Sequence, residues 1–462
     1  MRSACGGARS PAIVPHGSRP FSLIGQNRSF EATTCKNSPC ATLWNRQKTF
    51  NDANHPQFVW KAQVTASIDT EGTQVRSLIK EQGTALSRNL TEHRLKSFPP
   101  TAAKAFRKMS PSEVAALLRV TESWLRQTAI AYGEDLTSKG QSRRTYTLED
   151  IQTLRKTLGA KPRSSEKYLP GRRDGEALQI ISILNFKGGS AKTTTAANLS
   201  QYLALHGYRV LVIDLDPQAS LTTMFGVAPE VDVEPDHTIY GAIRYDSEAR
   251  SIREIIRKTY IPGLDLVPAG LELMEYEHAT PRILHERHLP AASIFARIQN
   301  AISEVDDDYD LVIIDCPPQL GYLTFGALFA ATSVLITVHP QMLDVMSMSQ
   351  FLTMLGDLLD VIASNTGAEP NYHWLRYLLT RFESADGPQN QMAGFMRTVF
   401  GEHILNHPTY KSTAISDAGL TSQTIYEVER NQFVRATYDR ALETVNAVNS
   451  EIEQLIHRAW GR

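Results

Sequence analysis

The chain has 462 residues, of which 42% are hydrophobic and 21% charged, and its formal net charge is −1. That length allows two to four domains and a full hydrophobic core. No apolar run reaches the ~20 residues of a membrane-spanning helix, which argues against a spanning protein. The near-zero charge conceals a division. Residues 1–180 carry 28 Lys and Arg against 15 Asp and Glu, whereas residues 181–462 carry 20 against 34. A basic front and an acidic rear suggest a nucleic-acid-facing region joined to a part with a different task. The cysteines are Cys5, Cys35, Cys40 and Cys316. They are too few for a disulfide framework and form no CxxC pair, so a reducing, cytoplasmic setting is expected.

Residues 1–60 are poor in acids, contain Pro11, Pro15 and Pro20, and have no sustained period. They read as a disordered extension or a mis-assigned start in preference to a targeting signal. Residues 61–108 hold a weak helical stripe, Val75, Leu78, Ile79, Leu86 and Leu90. A compact module is predicted over 109–159. Ser110-Pro111-Ser112-Glu113 is a capping box with Pro at the first helical position. Thr121 can cap a second helix carrying Trp124, Leu125 and Ile130, and Thr147 a third that runs to Leu158. A polar loop with Arg143 and Arg144 lies between the second and third helices.

This layout resembles a winged helix-turn-helix of the MerR-like kind. The resemblance makes Glu122, Ser123, Arg126 and Gln127 candidate DNA contacts on the second helix, and Arg143 and Arg144 phosphate contacts in the wing. A three-helix interaction module with solvated arginines is the alternative. Residues 160–177 read as a linker, with Lys161, Arg163, Lys167, Arg172 and Arg173 extending the basic surface.

From 178 to 462 the pattern becomes repeated β-α, the mark of a mainly parallel, doubly wound sheet. The apolar run 178–184 feeds Lys187-Gly188-Gly189-Ser190-Ala191-Lys192-Thr193-Thr194, and a helix follows. Strand, glycine-rich loop, Lys-Thr and helix are the context of a P-loop. Backbone N–H groups and the helix N-terminus favour phosphate, Lys192 meets the β/γ phosphates of ATP, and the Thr193 hydroxyl completes Mg²⁺ coordination. A second strand ends in Asp214-Leu215-Asp216-Pro217-Gln218, and a third, 311–314, ends in Asp315. Carboxylates at those strand ends can hold Mg²⁺ or orient the attacking water. Further strands are expected at 264–267, 333–338 and 375–380, and helices at 292–304, 342–362 and 389–399. Thr380 and Arg381 could approach the adenine. Glu304 and Asp306 to Asp308 read as a solvated helix end, and the stripe over 437–460 as a helix packed on the core.

KGGxxKTT, with Lys187 as an extra lysine and Phe186 at the first loop position, resembles the deviant P-loop of the ParA/MinD group. The resemblance runs from about Phe98 to the end and is similar to plasmid-partition ATPases of the RepA type from repABC operons. It implies several things. Lys187 would reach the nucleotide of a second copy in an ATP-sandwich homodimer, and Asp216 would orient the water. ATP-bound dimers would hold DNA non-specifically on the nucleoid. A ParB/RepB-like centromere-binding partner would stimulate slow hydrolysis, and the N-terminal module would bind the operator and repress the operon. His339 and Asp344 resemble a base-side or switch-adjacent loop of the group. Lys411, Arg397 and Arg430 are candidates for the DNA surface of the ATPase domain. Two alternatives stay open: an ATP-regulated repressor with no transport role, and a metabolic enzyme with a deviant P-loop.

Overall fold

The computed structural model describes Val75 and residues 77–86, 88–89, 104–131, 145–160, 166–287, 291–366 and 370–462. Residues 1–60 and the wing arginines Arg143 and Arg144 lie outside the described residues, as do Lys161 and Arg163. The described positions from Val75 to Asn89 are helical. Residues 81–462 form one compact unit.

Local capping starts each helix of the small module where the sequence places it. Helix α1 (Pro111–Leu118) opens on Ser110, whose N–H donates to Glu113 Oε2 at 2.7 Å while the Glu113 N–H donates back to Ser110 Oγ at 3.4 Å. Helix α2 (Glu122–Ala131) opens on Thr121, whose Oγ1 accepts the Trp124 N–H. Helix α3 (Leu148–Gly159) opens on a second capping box between Thr147 and Asp150. An antiparallel bridge between Met109 and Tyr146 closes the unit. Val114, Leu118, Leu125 and Ile151 are buried, whereas Ser123, Arg126 and Gln127 stand on the exposed face of α2.

Seven strands build the main sheet: β1 (Gln179–Leu184), β2 (Val210–Asp214), β3 (Arg257–Lys258), β4 (Leu264–Val267), β5 (Leu311–Asp315), β6 (Ser333–Val338) and β7 (Trp374–Leu379). Their order is β3-β4-β2-β5-β1-β6-β7, parallel throughout except for the short edge strand β3. The strands from β1 to β6 other than β3 are buried along their whole length, as expected of a parallel sheet covered on both faces. Helix α4 (Lys192–His206) leaves β1 and shares one face with α1–α3 and the C-terminal helix. The other face is covered by α5 (Leu273–Arg287), α6 (Ala291–Ser303), α7 (Tyr322–Ala330), α8 (Met342–Thr366) and α9 (Gly387–Phe400). After α10 (Thr413–Leu420), α11 (Arg435–Ala459) packs against α4 through Val445, Val448 and Ile452. By length and composition α8 could cross a membrane, yet Val345, Met348, Phe351, Leu355 and Ile362 seat one of its faces in the sheet core.

The small module shares its core with the sheet domain. Met109, Val114, Leu125 and Ile151 belong to the same apolar cluster as α4 and α11. Polar anchors fix the join: Lys104 pairs with Glu427 at 3.0 Å, Gln152 Nε2 donates to the Pro262 carbonyl at 2.6 Å, and Arg107 Nε to the Tyr426 carbonyl at 3.0 Å. Two sequence expectations are corrected here. Arg172 and Arg173 do not simply extend a basic surface, because Arg172 is paired with Asp306 and Arg173 with Glu166. The acidic run is not a merely solvated helix end, because Asp306 takes Arg172, Asp308 takes Arg253 and the Asp307 carbonyl takes Arg209. Tertiary contact brought Arg172 to Asp306, 134 residues apart, and Arg253 to Asp308, 55 apart, which no local pattern encodes.

The buried Lys104–Glu427 pair supplies a test of the join. Glu427 also accepts from Tyr260 Oη at 2.6 Å, Gln201 Nε2 at 2.9 Å and the Thr424 N–H at 2.8 Å, so the carboxylate is enclosed by donors. Lys104→Met should leave it short of a counter-charge and cost about 3 kcal/mol, in the range for breaking a buried ion pair. Urea unfolding of the variant against wild type would measure that loss.

Candidate nucleotide-binding site

The phosphate loop leaves the C-terminal end of β1 at the centre of the sheet, where β5 and β6 flank it. That is the switch point at which open parallel sheets hold ligands. The backbone passes through the left-handed region at Gly189 (φ +78°) and again at Ala191 (φ +68°) before α4 begins at Lys192. Gly188 and Gly189 are exposed. The loop is braced from below. Asn185 Oδ1 accepts the Lys187 N–H at 2.9 Å and its Nδ2 donates to the Thr337 carbonyl. Thr380 Oγ1 donates to the Ser190 carbonyl at 3.0 Å, and the Thr337 and Ser190 hydroxyls lie 3.1 Å apart.

Beside the loop, Asp214 and Asp315 stand in register at the ends of β2 and β5, both fully buried. Asp214 accepts from the Thr222 N–H at 2.9 Å, the Thr222 hydroxyl at 2.8 Å and the Asp216 N–H at 3.1 Å. Neither oxygen of Asp315 has a hydrogen-bond partner among the described residues. Burial, reinforced by Asp214, raises its pKa well above the carboxylate range, although the Thr193 hydroxyl and Lys192 favour the charged form. Burial likewise pushes Asp214 up to about 7. It lowers the Lys192 ammonium, with Asp315 the strongest opposing influence. Asp216 is partly exposed, and its Oδ1 accepts the Gln218 N–H at 2.9 Å. Cys316 is buried, and burial holds its thiol protonated.

An unpaired buried carboxylate next to the Thr193 hydroxyl suits a hard divalent cation. Among the described residues no three His, Cys, Asp or Glu side chains converge as a protein-only metal cage. That fits Mg²⁺, which takes most of its ligands from phosphate and water. Next to the loop lies a cavity of about 330 Å³ lined by Thr194, Asn198, Arg381, Tyr410, Lys411 and Asn449, large enough for a nucleoside. Arg381 Nη1 donates to the Gly189 carbonyl at 3.2 Å, so it lies on the loop, while Thr380 is enclosed beneath it. Lys411 opens on the same cavity and pairs with Glu383 at 3.0 Å. Arg430 is held by Asp439, and Arg397 is exposed.

Lys187 is half exposed and pairs with Asp344 of α8, with His339 Nδ1 3.5 Å from the other carboxylate oxygen. Sequence reasoning noted Asp344 without seeing its partner. It missed Asn185, Thr337, Asn198 and Asn449 altogether. The one local signal available was an Asn between a buried strand and a glycine loop, and the others depend on strands and helices distant in sequence.

A braced phosphate loop at a switch point, with a second lysine at its mouth and two acidic strand ends behind it, defines a P-loop nucleotide hydrolase of the deviant, double-lysine class. The family model described as "AAA domain" matches residues 178–366. A Rhizobium rhizogenes protein named as a candidate replication protein A is 57% identical over 84% of this chain and 96% of its own length. The chromosome partitioning protein ParA of Myxococcus xanthus is 32% identical over 52% of this chain and 77% of its own. A solved structure titled "Partition Protein" shares the fold, with a TM-score of 0.57 at 21% identity, covering 82% of this chain and 98% of that one. The chain belongs to the ParA family of partition ATPases, within its replication protein A branch.

Two measurements test the site. The folded state keeps a proton on Asp214 that the unfolded chain loses near pH 4. Stability of the ligand-free protein should therefore fall as pH rises from about 4 to about 7, by at most about 1.4 kcal/mol per pH unit. Urea unfolding across that interval reads the slope. Separately, Ala191 carries a side chain at a left-handed position, so Ala191→Gly should stabilise the fold by about 1 kcal/mol, measured by the same unfolding.

Proposed function

We propose that this chain is a plasmid or replicon partition ATPase that binds ATP and Mg²⁺, dimerises around the nucleotide, holds DNA and responds to a ParB/RepB-like partner. Lys192 and the loop N–H groups carry the phosphates. Thr193 and Asp315 would hold the metal, which supplies charge neutralisation as the terminal phosphoryl group leaves. Asp216, poised at the edge of the site, orients the attacking water. The α2 face of Ser123, Arg126 and Gln127 reads the operator for autorepression, and Lys411 supports DNA contact from the ATPase domain. The protein acts in the cytoplasm on nucleoid DNA.

The observation that carries this reading is the position of Lys187. A lysine whose only task was to bind the nucleotide of its own chain would turn into the loop. This one is half exposed and pairs instead with Asp344 of α8, which leaves it available to the nucleotide of a second copy of the chain. Its release from Asp344 is then part of forming the dimer.

Lys192→Ala should abolish ATP binding. Lys187→Ala should keep nucleotide binding in the monomer and lose the ATP-dependent dimer, as followed by light scattering with fluorescent ATP titration. Asp216→Ala should dimerise on ATP and persist on duplex DNA, with hydrolysis reduced by about 10²-fold or more, the scale of a lost acid–base group. A Lys187→Ala dimer as tight as wild type would overturn the sandwich, and DNA binding indifferent to ATP would overturn the partition reading.

A further inference from the structure

A second cavity lies at the other end of the strands from the phosphate loop. It measures about 890 Å³, within the range of small-molecule sites. Its floor is made by Gly207, Tyr208 and Arg209 leading into β2, Gly263 before β4 and Asp310 before β5. Its walls are α3, through Gln152, Arg155 and Lys156, and the segment from Glu166 to Arg173. Strands of five residues separate it from the ATP site by roughly 17 Å.

The cavity is built of basic groups in two distinct conditions. Arg209, Arg172 and Arg173 are already held, by Asp310 at 2.7 Å, Asp306 at 3.1 Å and Glu166 at 3.0 Å. These pairs make rigid walls. Arg155 is different. It is 4% exposed, its Nη2 donates to the Leu205 carbonyl at 2.6 Å, and its Nε has no hydrogen-bond partner. Burial draws its pKa down to about 10, with Glu453 opposing at longer range. Lys156, one residue on, is exposed at the rim. Keeping a guanidinium this enclosed without an adjacent carboxylate is costly, and an anion in the cleft would offset the cost. Gly207 and Gly263, at φ +102° and +87°, let α3 pack close over the floor, since a Cβ there would meet Arg155 Cδ at 3.0 Å and Gln152 Nε2 at 3.1 Å. A DNA duplex cannot enter a concavity of this volume, which favours a small ligand.

We propose that this cleft is a second ligand site, separate from the phosphate loop, that takes a small phosphate-bearing molecule of nucleotide size recognised by Arg155 and Lys156. Because α3 forms one wall and the sheet the floor, such a ligand also fastens the helix-turn-helix module to the ATPase domain. The inference does not depend on the partition reading.

The test uses the full-length Lys192→Ala chain, which disables the phosphate loop, titrated calorimetrically with inorganic pyrophosphate and with AMP. One molecule of at least one probe should bind per chain. Adding Lys156→Glu, at an exposed position and with circular dichroism to check the fold, should weaken that binding about tenfold, the scale of one charge-assisted hydrogen bond. Arg155→Gln should abolish it. Neither probe binding at ~10 mM, well beyond the millimolar limit of weak specific sites, would overturn the proposal. So would binding that Lys156→Glu leaves unchanged, or a Lys156→Glu defect confined to duplex DNA.

Discussion

Two aspartates from strands nearly 100 residues apart in the chain, Asp214 and Asp315, lie side by side at the ends of β2 and β5, both removed from water. Like charges so placed cannot both be comfortable. The nearby Lys192 ammonium relieves part of the strain, and an incoming cation would relieve more. The rest of the site is arranged around that instability. The loop is braced from below by Asn185, Thr337 and Thr380. Thr222 ties Asp214 from the following turn, leaving Asp315 as the carboxylate with free oxygens. Binding energy is thereby kept for the ligand and not used up in protein contacts.

Helix α4 extends this influence across the molecule. It begins at Lys192, is buried from Thr195 to Leu205, and ends against the small N-terminal module. There Arg155 of α3 donates to the Leu205 carbonyl, placing a cation at the helix C-terminus, where the backbone dipole favours it. One rigid helix therefore has the phosphate loop at its start and the DNA-reading candidate module at its end. The Lys104–Glu427 pair and the continuous apolar cluster of the two parts make the join a packed interface. A flexible tether would leave no such cluster.

The charge division in the chain also acquires a structural sense. The acidic rear spends part of its charge internally, since Asp306, Asp308 and Asp310 gather arginines from the segment before β1, from the residue leading into β2 and from the region before β3. Of the basic front, Arg172 is neutralised in this way. Among the basic groups still open to solvent are Arg126 on the α2 face and Lys156 at the rim of the large cleft. Net charge per segment is a poor guide to partners once long-range pairing is counted.

The sequence by itself determined the phosphate loop, the acidic strand ends, the strand–helix alternation and the helix starts. Each rests on residues within a few positions of one another: KGGxxKTT needs only its own glycines and lysines, and Ser110 with Glu113 needs only one helical turn. Strands β4 and β6 and helix α11 were legible for the same reason, through unbroken apolar runs or a steady stripe. Tertiary structure alone decided that Asp214 stands beside Asp315, that Lys187 turns to Asp344, that Thr380 supports the loop from beneath, and that Arg155 is buried beside a cleft with its Nε unpartnered. Those facts join residues up to 190 positions apart. They arise from strand order and helix packing, which fix distances that no periodicity in the chain records.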